Sequence, residues 1–290
     1  MRFTPITLSQ QETVNRIRNR YGHHSASHAF HSVYIWQKAF GLSILLEDDF
    51  FVVKYGKLGD HAYFVPCGNP AKTAAFLRAV NAAGKYRLLY IQKEEVRQIM
   101  SLAPTPLRFR YRRDDSEYIY DIPAQCALAG KQFAATRKKI HRLKAQYQVT
   151  ARPLDADTVE DARQIINAWS TQKLEGLGNA HEEIETDLCY LEHMDALSGA
   201  GTVMYLDGVP SAVAAGAPLD AQTFDLCICK QTNWTAGTNL CVRNLLVRQL
   251  AGRYTVLNSE EDLGLPGLRR HKTEMHPARM LNMWEAVNSE

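Results

Sequence analysis

The chain has 290 residues, about twice the size of a typical domain, so it holds two domains or one large one. Hydrophobic residues make up 46% and charged residues 22%, enough for a sizeable core and too apolar for a disordered chain. The net charge of +3 hides a split: residues 1–145 carry 23 Lys and Arg against 11 Asp and Glu, a balance of +12, and residues 146–290 a balance of −9. The basic part suits an anionic partner, or the two parts neutralise each other across a contact. No apolar run approaches the roughly 18 to 20 residues of a membrane helix, and residues 1–10 show no secretory pattern. The six cysteines form no C-x-x-C pair. A reduced, cytoplasmic protein with no integral membrane segment and no disulfide is the expectation.

In chain order, residues 50–55 and 61–65 are β-rich and flank Gly56 and Gly59, which predicts a hairpin. Asn69 and Pro70 suit the cap and first turn of a helix running to about Ala83. A strand at 86–92, a short helix at 93–101 and strands at 109–112 and 118–120 follow. A basic helix spans 131–147. Apolar residues at helical spacing predict helices over 156–173 (Val159, Ala162, Ile165, Ile166, Trp169) and 184–197. Strands at 202–206, 209–217 and 224–229 follow, with Asp207-Gly208 as a hairpin turn. A helix at 238–250 and strands at 254–258 and 281–287 complete the chain. The order of the second half is that of an acyltransferase fold of the GNAT kind, and the first half fits it less cleanly. The expectation is an α/β chain with mixed sheets: two tandem GNAT-like domains, 1–150 ending in the basic helix and 151–290.

Five segments are candidates for chemistry. In the basic helix, Phe133, Ile140, Leu143 and Tyr147 share one face, while Lys131, Arg137, Lys138, Lys139, Arg142 and Lys144 cover much of the rest. Phosphates are natural ligands of such a surface, and a solvated linker helix is the plainer reading. Arg108, Arg110 and Arg112 would share one strand face and need acids or an anion nearby. His24, His28 and His31 have helical spacing but no acidic or Cys partner close in sequence, so no metal site is expected.

Residues 231–240 join a strand to a helix where a Q/R-x-x-G-x-G/A loop would cradle the pyrophosphate of coenzyme A. Gln231 and Ala236 fit the ends of that pattern, and Gln231 and Gly237 are the candidate cofactor-binding residues. Trp234 stands where the first Gly is needed and obstructs close approach of backbone to phosphate. Residues 258–272 form the densest polar run, expected as a loop at the C-terminal end of a strand. There Glu260, Glu261 or Asp262 could hold an ammonium or act as a base, and Arg269 and Lys272 could bind phosphate or an oxyanion. A self-satisfied turn is the plainer reading.

Phe30, Val33, Tyr34 and Trp36 fit an F-x-N-L-Y-x-W pattern, with Ser32 in place of the Asn. Tyr118, Tyr120 and Asp121 precede the basic helix. Asn258, Glu260, Asp262 and Gly264 fit N-x-E-x-D-x-G, and Gly267, Arg269, Lys272 and Pro277 fit G-L-R-x-x-K-x(4)-P. Together these segments resemble the bacterial family named for the C-terminal domain of phosphatidylglycerol lysyltransferase. The resemblance covers most of the chain. It implies a tandem GNAT-like pair, and relatives that move an aminoacyl group from charged tRNA to a lipid head group. The implied activity is acyl or aminoacyl transfer, by direct attack of an amine or hydroxyl on the donor's carbonyl. The donor would be aminoacyl-tRNA or acyl-coenzyme A, with no cofactor bound tightly, and the acceptor a small molecule or lipid head group. Glu260, Asp262 and Lys272 are the catalytic candidates. Asn258, Arg269, Arg137, Lys138 and Arg142 are the substrate-binding candidates, the last three for tRNA. A non-catalytic binding protein on the same fold and a coenzyme A-dependent N-acetyltransferase are the alternatives.

Overall fold

The computed structural model describes residues 1–59, 61–173, 180–232 and 235–288. It forms two compact units. Unit 1 comprises Met1–Glu117, Glu261–Pro266 and Met280–Glu290, and unit 2 comprises Tyr118–Glu260 and Gly267–Arg279. The chain thus first passes between units at residue 117 rather than near 150. The basic helix belongs to unit 2, and the last strand to unit 1.

Unit 1 begins with α1 (Gln11–Tyr21) and α2 (Phe30–Phe40), then an antiparallel hairpin of β1 (Leu42–Glu47) and β2 (Phe50–Tyr55). β3 (Ala62–Phe64) and β4 (Cys67–Gly68) both pair with β2, so the hairpin expected from residues 50–65 forms in short register. In α3 (Pro70–Ala82) the side chain of Asn69 accepts from the Ala71 N–H and Pro70 occupies the first turn, as the sequence predicts. β5 (Arg87–Gln92), α4 (Val96–Leu102) and β6 (Leu107–Asp121) follow. The strands expected at 109–112 and 118–120 are two ends of this one strand. Phe76, Leu77 and Val80 of α3 pack on Phe50, Val52, Tyr63, Leu88 and Ile91. Each such side chain contributes roughly 1.5–3 kcal/mol by leaving water.

Unit 2 continues with α5 (Ile122–Ala127), α6 (Ala134–Gln146), β7 (Val149–Pro153), α7 (Val159–Lys173) and α8 (Ala180–His193). Three antiparallel strands follow: β8 (Ala200–Leu206), β9 (Val209–Pro218) and β10 (Thr223–Gln231). Then come α9 (Thr238–Leu250) and β11 (Val256–Asn258). Residues 211–217 of β9 are all buried, so both faces of the strand are covered, and α7 and α9 both pack on it. α10 (Pro266–Glu274) and β12 (Arg279–Asn288) end the chain. Residues 258–272 are therefore not all loop: Pro266 opens a helix whose first-turn N–H groups need no intrahelical partner. In unit 1, β12 pairs antiparallel with β5. Among the described residues, no helix is long and apolar enough to cross a membrane.

β10 carries the feature that positions the candidate site. It is parallel to β11 over three pairs, ending at Asp225↔Asn258, and runs on to Gln231 after that pairing stops. On its other edge, pairing with β9 jumps from Leu226↔Gly216 to Ile228↔Ala215, which leaves Cys227 as a bulge. The bulge is held from α8: buried Tyr190 donates its hydroxyl proton to the Gly216 carbonyl at 2.5 Å. A Cβ at Gly216 would fall 1.7 Å from the Asp225 carbonyl oxygen. Gly216→Ala is therefore expected to cost about 3 kcal/mol, read as a lower denaturation midpoint at unchanged slope in urea.

Candidate functional site

In unit 2 the end of β11 turns sharply. Asn258 is fully buried, and its Oδ1 accepts from the Glu260 N–H at 2.8 Å. The Ser259 N–H donates to the Tyr118 carbonyl, and the Tyr118 N–H to the Glu260 carbonyl, both at 3.0 Å. Held on both sides, Glu260 takes a left-handed conformation, φ 54°, at a cost of about 1–3 kcal/mol that the surrounding bonds offset. Lys272 of α10 is buried. Its ammonium donates to the Ser259 carbonyl and lies 5.8 Å from the centre of the Tyr118 ring. The Tyr120 hydroxyl holds the same residue by its backbone carbonyl, at 2.7 Å. Asn258, Glu260 and Lys272 are thus brought to one turn, as the sequence motif suggests. Half-buried Arg269 lies one turn before Lys272 on α10.

Three further groups complete this region, and sequence reasoning missed them. Arg243 of α9 is buried, its guanidinium 4.3 Å from the centre of the Tyr120 ring, and its Nη1 donates to Gln125. Its Nε and Nη2, which form the bidentate edge of the group, have no partner among the described residues. Lys230 of β10 lies 4.0 Å from the Trp169 ring, donates to Glu183 and sits 3.5 Å from Asp187. Burial pulls Lys230 down, but Asp187 and Glu183 outweigh it and the net shift is upward. Burial pushes Asp187 up to about 7 against the pull of Lys230. The third is His271, pushed down to about 4 by burial and then by Arg243 and Lys272, so it is neutral at physiological pH.

These charges act on the two thiols of β10. Burial raises the Cys227 thiol, and the carboxylates of Asp225, Glu260 and Asp187 add to the shift. Two residues on, burial raises Cys229 while Arg243, Lys230 and Lys272 oppose it. Acids and cations thus meet along this strand, Asp187 lying 3.5 Å from Lys230, and a region that holds both signs suits a substrate with an ammonium and a developing oxyanion or phosphate.

Asp262 belongs to unit 1, fully buried, 3.0 Å from Arg113 Nη1, and accepting from the Gly264 N–H at 3.0 Å. Arg137 donates to the carbonyls of Leu128 and Gly130, closing the connection between α5 and α6. Lys138 and Arg142 are exposed on α6. Gln231 ends β10 buried, with no partner for its Oε1 among the described residues. Gly237 caps α9 at φ 99°, where a Cβ would fall 2.7 Å from the Lys139 carbonyl oxygen, so close approach of α6 explains this glycine. Trp234 lies outside the described residues. His24, His28 and His31 do not share one helix. His28, in a 3-10 turn, bonds the Val65 carbonyl at 2.9 Å, and burial keeps it neutral. Among the described residues, no group of His, Cys, Asp and Glu has the spacing of a metal site.

The fold is that of the GNAT-like acyltransferases, and solved structures similar to it bear this out. Across 99% of both chains it superimposes on a conserved protein of unknown function from Bacteroides thetaiotaomicron, with a TM-score of 0.90 and 22% identity. It covers 93% of the C-terminal domain of a putative lysylphosphatidylglycerol synthetase from Agrobacterium fabrum with 98% of its own length, at a TM-score of 0.67 and 14% identity. A tandem GNAT protein from the clavulanic acid biosynthesis pathway gives a TM-score of 0.50 and 11% identity over 100% of this chain and 99% of that one. The model of the family described as phosphatidylglycerol lysyltransferase, C-terminal, matches residues 18–286, and the chain belongs to that family. No curated protein matches it in sequence.

The buried charges make two of these residues testable by stability alone. Asp262→Asn breaks a buried ion pair with Arg113 and is expected to lose about 2–3 kcal/mol of stability. Thermal melts would show it. For His271, the folded value near 4 lies below the ordinary 6.5, so the unfolded chain takes up a proton that the folded one refuses. Stability should therefore fall as pH drops from 6.5 towards 4, by up to about 2 kcal/mol after allowance for partial exposure. His271→Gln should flatten that part of the profile in denaturant titrations run at each pH.

Proposed function

We propose that this chain is an aminoacyl transferase that takes its acyl group from charged tRNA and gives it to an amine or hydroxyl acceptor. The observation that supports this reading is the turn that bears the family motif, which carries the Glu260 carboxylate on a backbone held by Asn258 and Tyr118 and fixes the buried Lys272 ammonium on the Ser259 carbonyl. An aminoacyl ester has the matching polarity: a free ammonium, a carbonyl that becomes an oxyanion, and a phosphate chain beyond.

In this reading the acceptor's nitrogen or oxygen attacks the ester carbonyl. The new bond forms, the bond to the ribose oxygen breaks, and the acceptor's proton ends on the ribose hydroxyl. The Lys272 ammonium, fixed by Ser259 and Tyr118, stabilises the oxyanion. Glu260 orients or deprotonates the attacking group, and the rigidity of its turn lowers the cost of orienting it. Lys138 and Arg142, exposed on α6, remain to meet the polyanion, whereas Arg137 is engaged with backbone. The family's name supports phosphatidylglycerol as the first acceptor to try.

The test is transfer of a labelled amino acid from a charged tRNA pool to phosphatidylglycerol vesicles and to a panel of small amines and alcohols, with acyl-coenzyme A as the competing donor. Lys272→Met is expected to reduce transfer per folded molecule roughly 100-fold. No transfer from any charged tRNA, or full activity in the Lys272 variant, would refute the proposal.

A further inference from the structure

The arginine strand of unit 1 lies outside the site just described. β6 presents Arg108, Arg110 and Arg112 at alternate positions, so they share one face. Glu285 of β12 is nearly buried, and it lies 2.8 Å from Arg87 of β5, 3.9 Å from Arg110 and 3.8 Å from Arg112. One carboxylate thus serves three guanidinium groups. Asp115 adds a second acid, 2.9 Å from Arg112. Arg108 and Arg110 line an open groove of about 420 Å³ with Lys85, Phe109, Glu285, Val287 and Asn288. Asp114 adds a third acid within electrostatic reach of Arg112, against the four guanidinium groups of Arg87, Arg108, Arg110 and Arg112 and the Lys85 ammonium, and the Arg110 side chain is 74% exposed. The acids are fewer than the cations, which leaves part of the positive charge uncompensated.

We infer that this groove is a binding site for an RNA phosphate backbone, separate from the basic helix. Guanidinium groups form paired bonds to phosphate, and a row of them on a rigid sheet tracks a chain of phosphates. The groove's apolar members, Phe109 and Val287, are half-buried. A strand-like polyanion fits such a surface. A bilayer would call for exposed apolar side chains among the cations. The inference rests on the charged-tRNA reading only for naming RNA as the polyanion.

The test uses a fluorescently labelled single-stranded oligoribonucleotide, with anisotropy measured at salt concentrations from about 50 to about 200 mM. The Arg108→Gln, Arg110→Gln double variant is expected to bind roughly tenfold more weakly at the lowest salt. Its slope of log affinity against log salt should be shallower by about 1.4, the loss of two phosphate contacts. An Arg108→Lys, Arg110→Lys variant keeps the charge and should keep the slope. Unchanged affinity and slope in the Gln variant would overturn the inference, and so would tighter, arginine-dependent capture by phosphatidylglycerol vesicles than by RNA. Undiminished transfer from charged tRNA at subsaturating concentration in the Gln variant would also refute the groove, while leaving the transferase reading intact. Arginine-dependent RNA binding in a protein that transfers nothing would refute the transferase and leave the groove standing.

Discussion

Burying a cation is the physical constraint on which unit 2 depends. Lys230, Arg243 and Lys272 are 6%, 4% and 8% exposed, and removing such a charge from water costs several kcal/mol unless partners replace the lost hydration. Each is compensated differently. Lys230 has two carboxylates and the face of Trp169. Lys272 has a backbone carbonyl and the more distant ring of Tyr118 among its neighbours. Arg243 has one amide oxygen and the ring of Tyr120, while its Nε and Nη2 find no partner among the described residues. Compensation is weakest at Arg243. A chain selected for stability alone gains nothing from that arrangement, which a Met or Leu would replace at lower cost. A cation held dry and incompletely neutralised is what an oxyanion or phosphate site requires.

The same constraint explains the rigid turn. A lysine that donates to a backbone carbonyl is only as well placed as that carbonyl. Ser259 is fixed through its own N–H to Tyr118, and Tyr118 in turn donates to Glu260. Asn258 closes the turn from inside. The motif spacing N-x-E therefore has a mechanical reason: the Asn side chain caps the N–H two residues on, and that residue's left-handed backbone reverses the chain. The carboxylate at Glu260 is thus carried on a backbone that cannot relax without breaking bonds on both sides.

Much of this is legible in the sequence, and what is not has particular causes. Asn69-Pro70 announces α3 because cap and first-turn chemistry are local, and the β8–β9 hairpin follows from Asp207-Gly208 for the same reason. The polar run at 258–272 reads as a loop because its acids and glycines dominate, yet Pro266 and the spacing of Leu268 and Lys272 make a helix. The motif brings Asn258, Glu260 and Lys272 to light. It also points to Asp262, which the fold gives to Arg113 in unit 1. Arg243 escapes the motif although it stands among Val242, Leu246 and Val247 on a buried stripe, and so does Lys230 although it interrupts an apolar strand. A charge in a core pattern is the available signal. The unit boundary is beyond reach, because no local pattern shows that the last strand returns to pair with β5, far back in the chain.

That late return also bears on the charge split. The +12 and −9 of the two halves could mean two surfaces that cancel. In unit 1 the acid-rich half does send back a carboxylate, since β12 carries Glu285 to Arg87, Arg110 and Arg112. That carboxylate is nearly buried, where it can anchor guanidinium groups from both β5 and β6 but cannot neutralise them all, and Asp262 returns separately to Arg113. If cancellation were the purpose, the partly exposed positions of β12 would be the place for further acids. Met280, Leu281, Asn282, Trp284, Val287 and Asn288 hold those positions, and none of them is acidic. The arginines of β6 are thus held in place by Glu285 without all being discharged by it, but the asymmetry of the two halves does not follow the units: the six cations of the basic helix belong to unit 2, and unit 1 carries 17 Lys and Arg against 14 Asp and Glu.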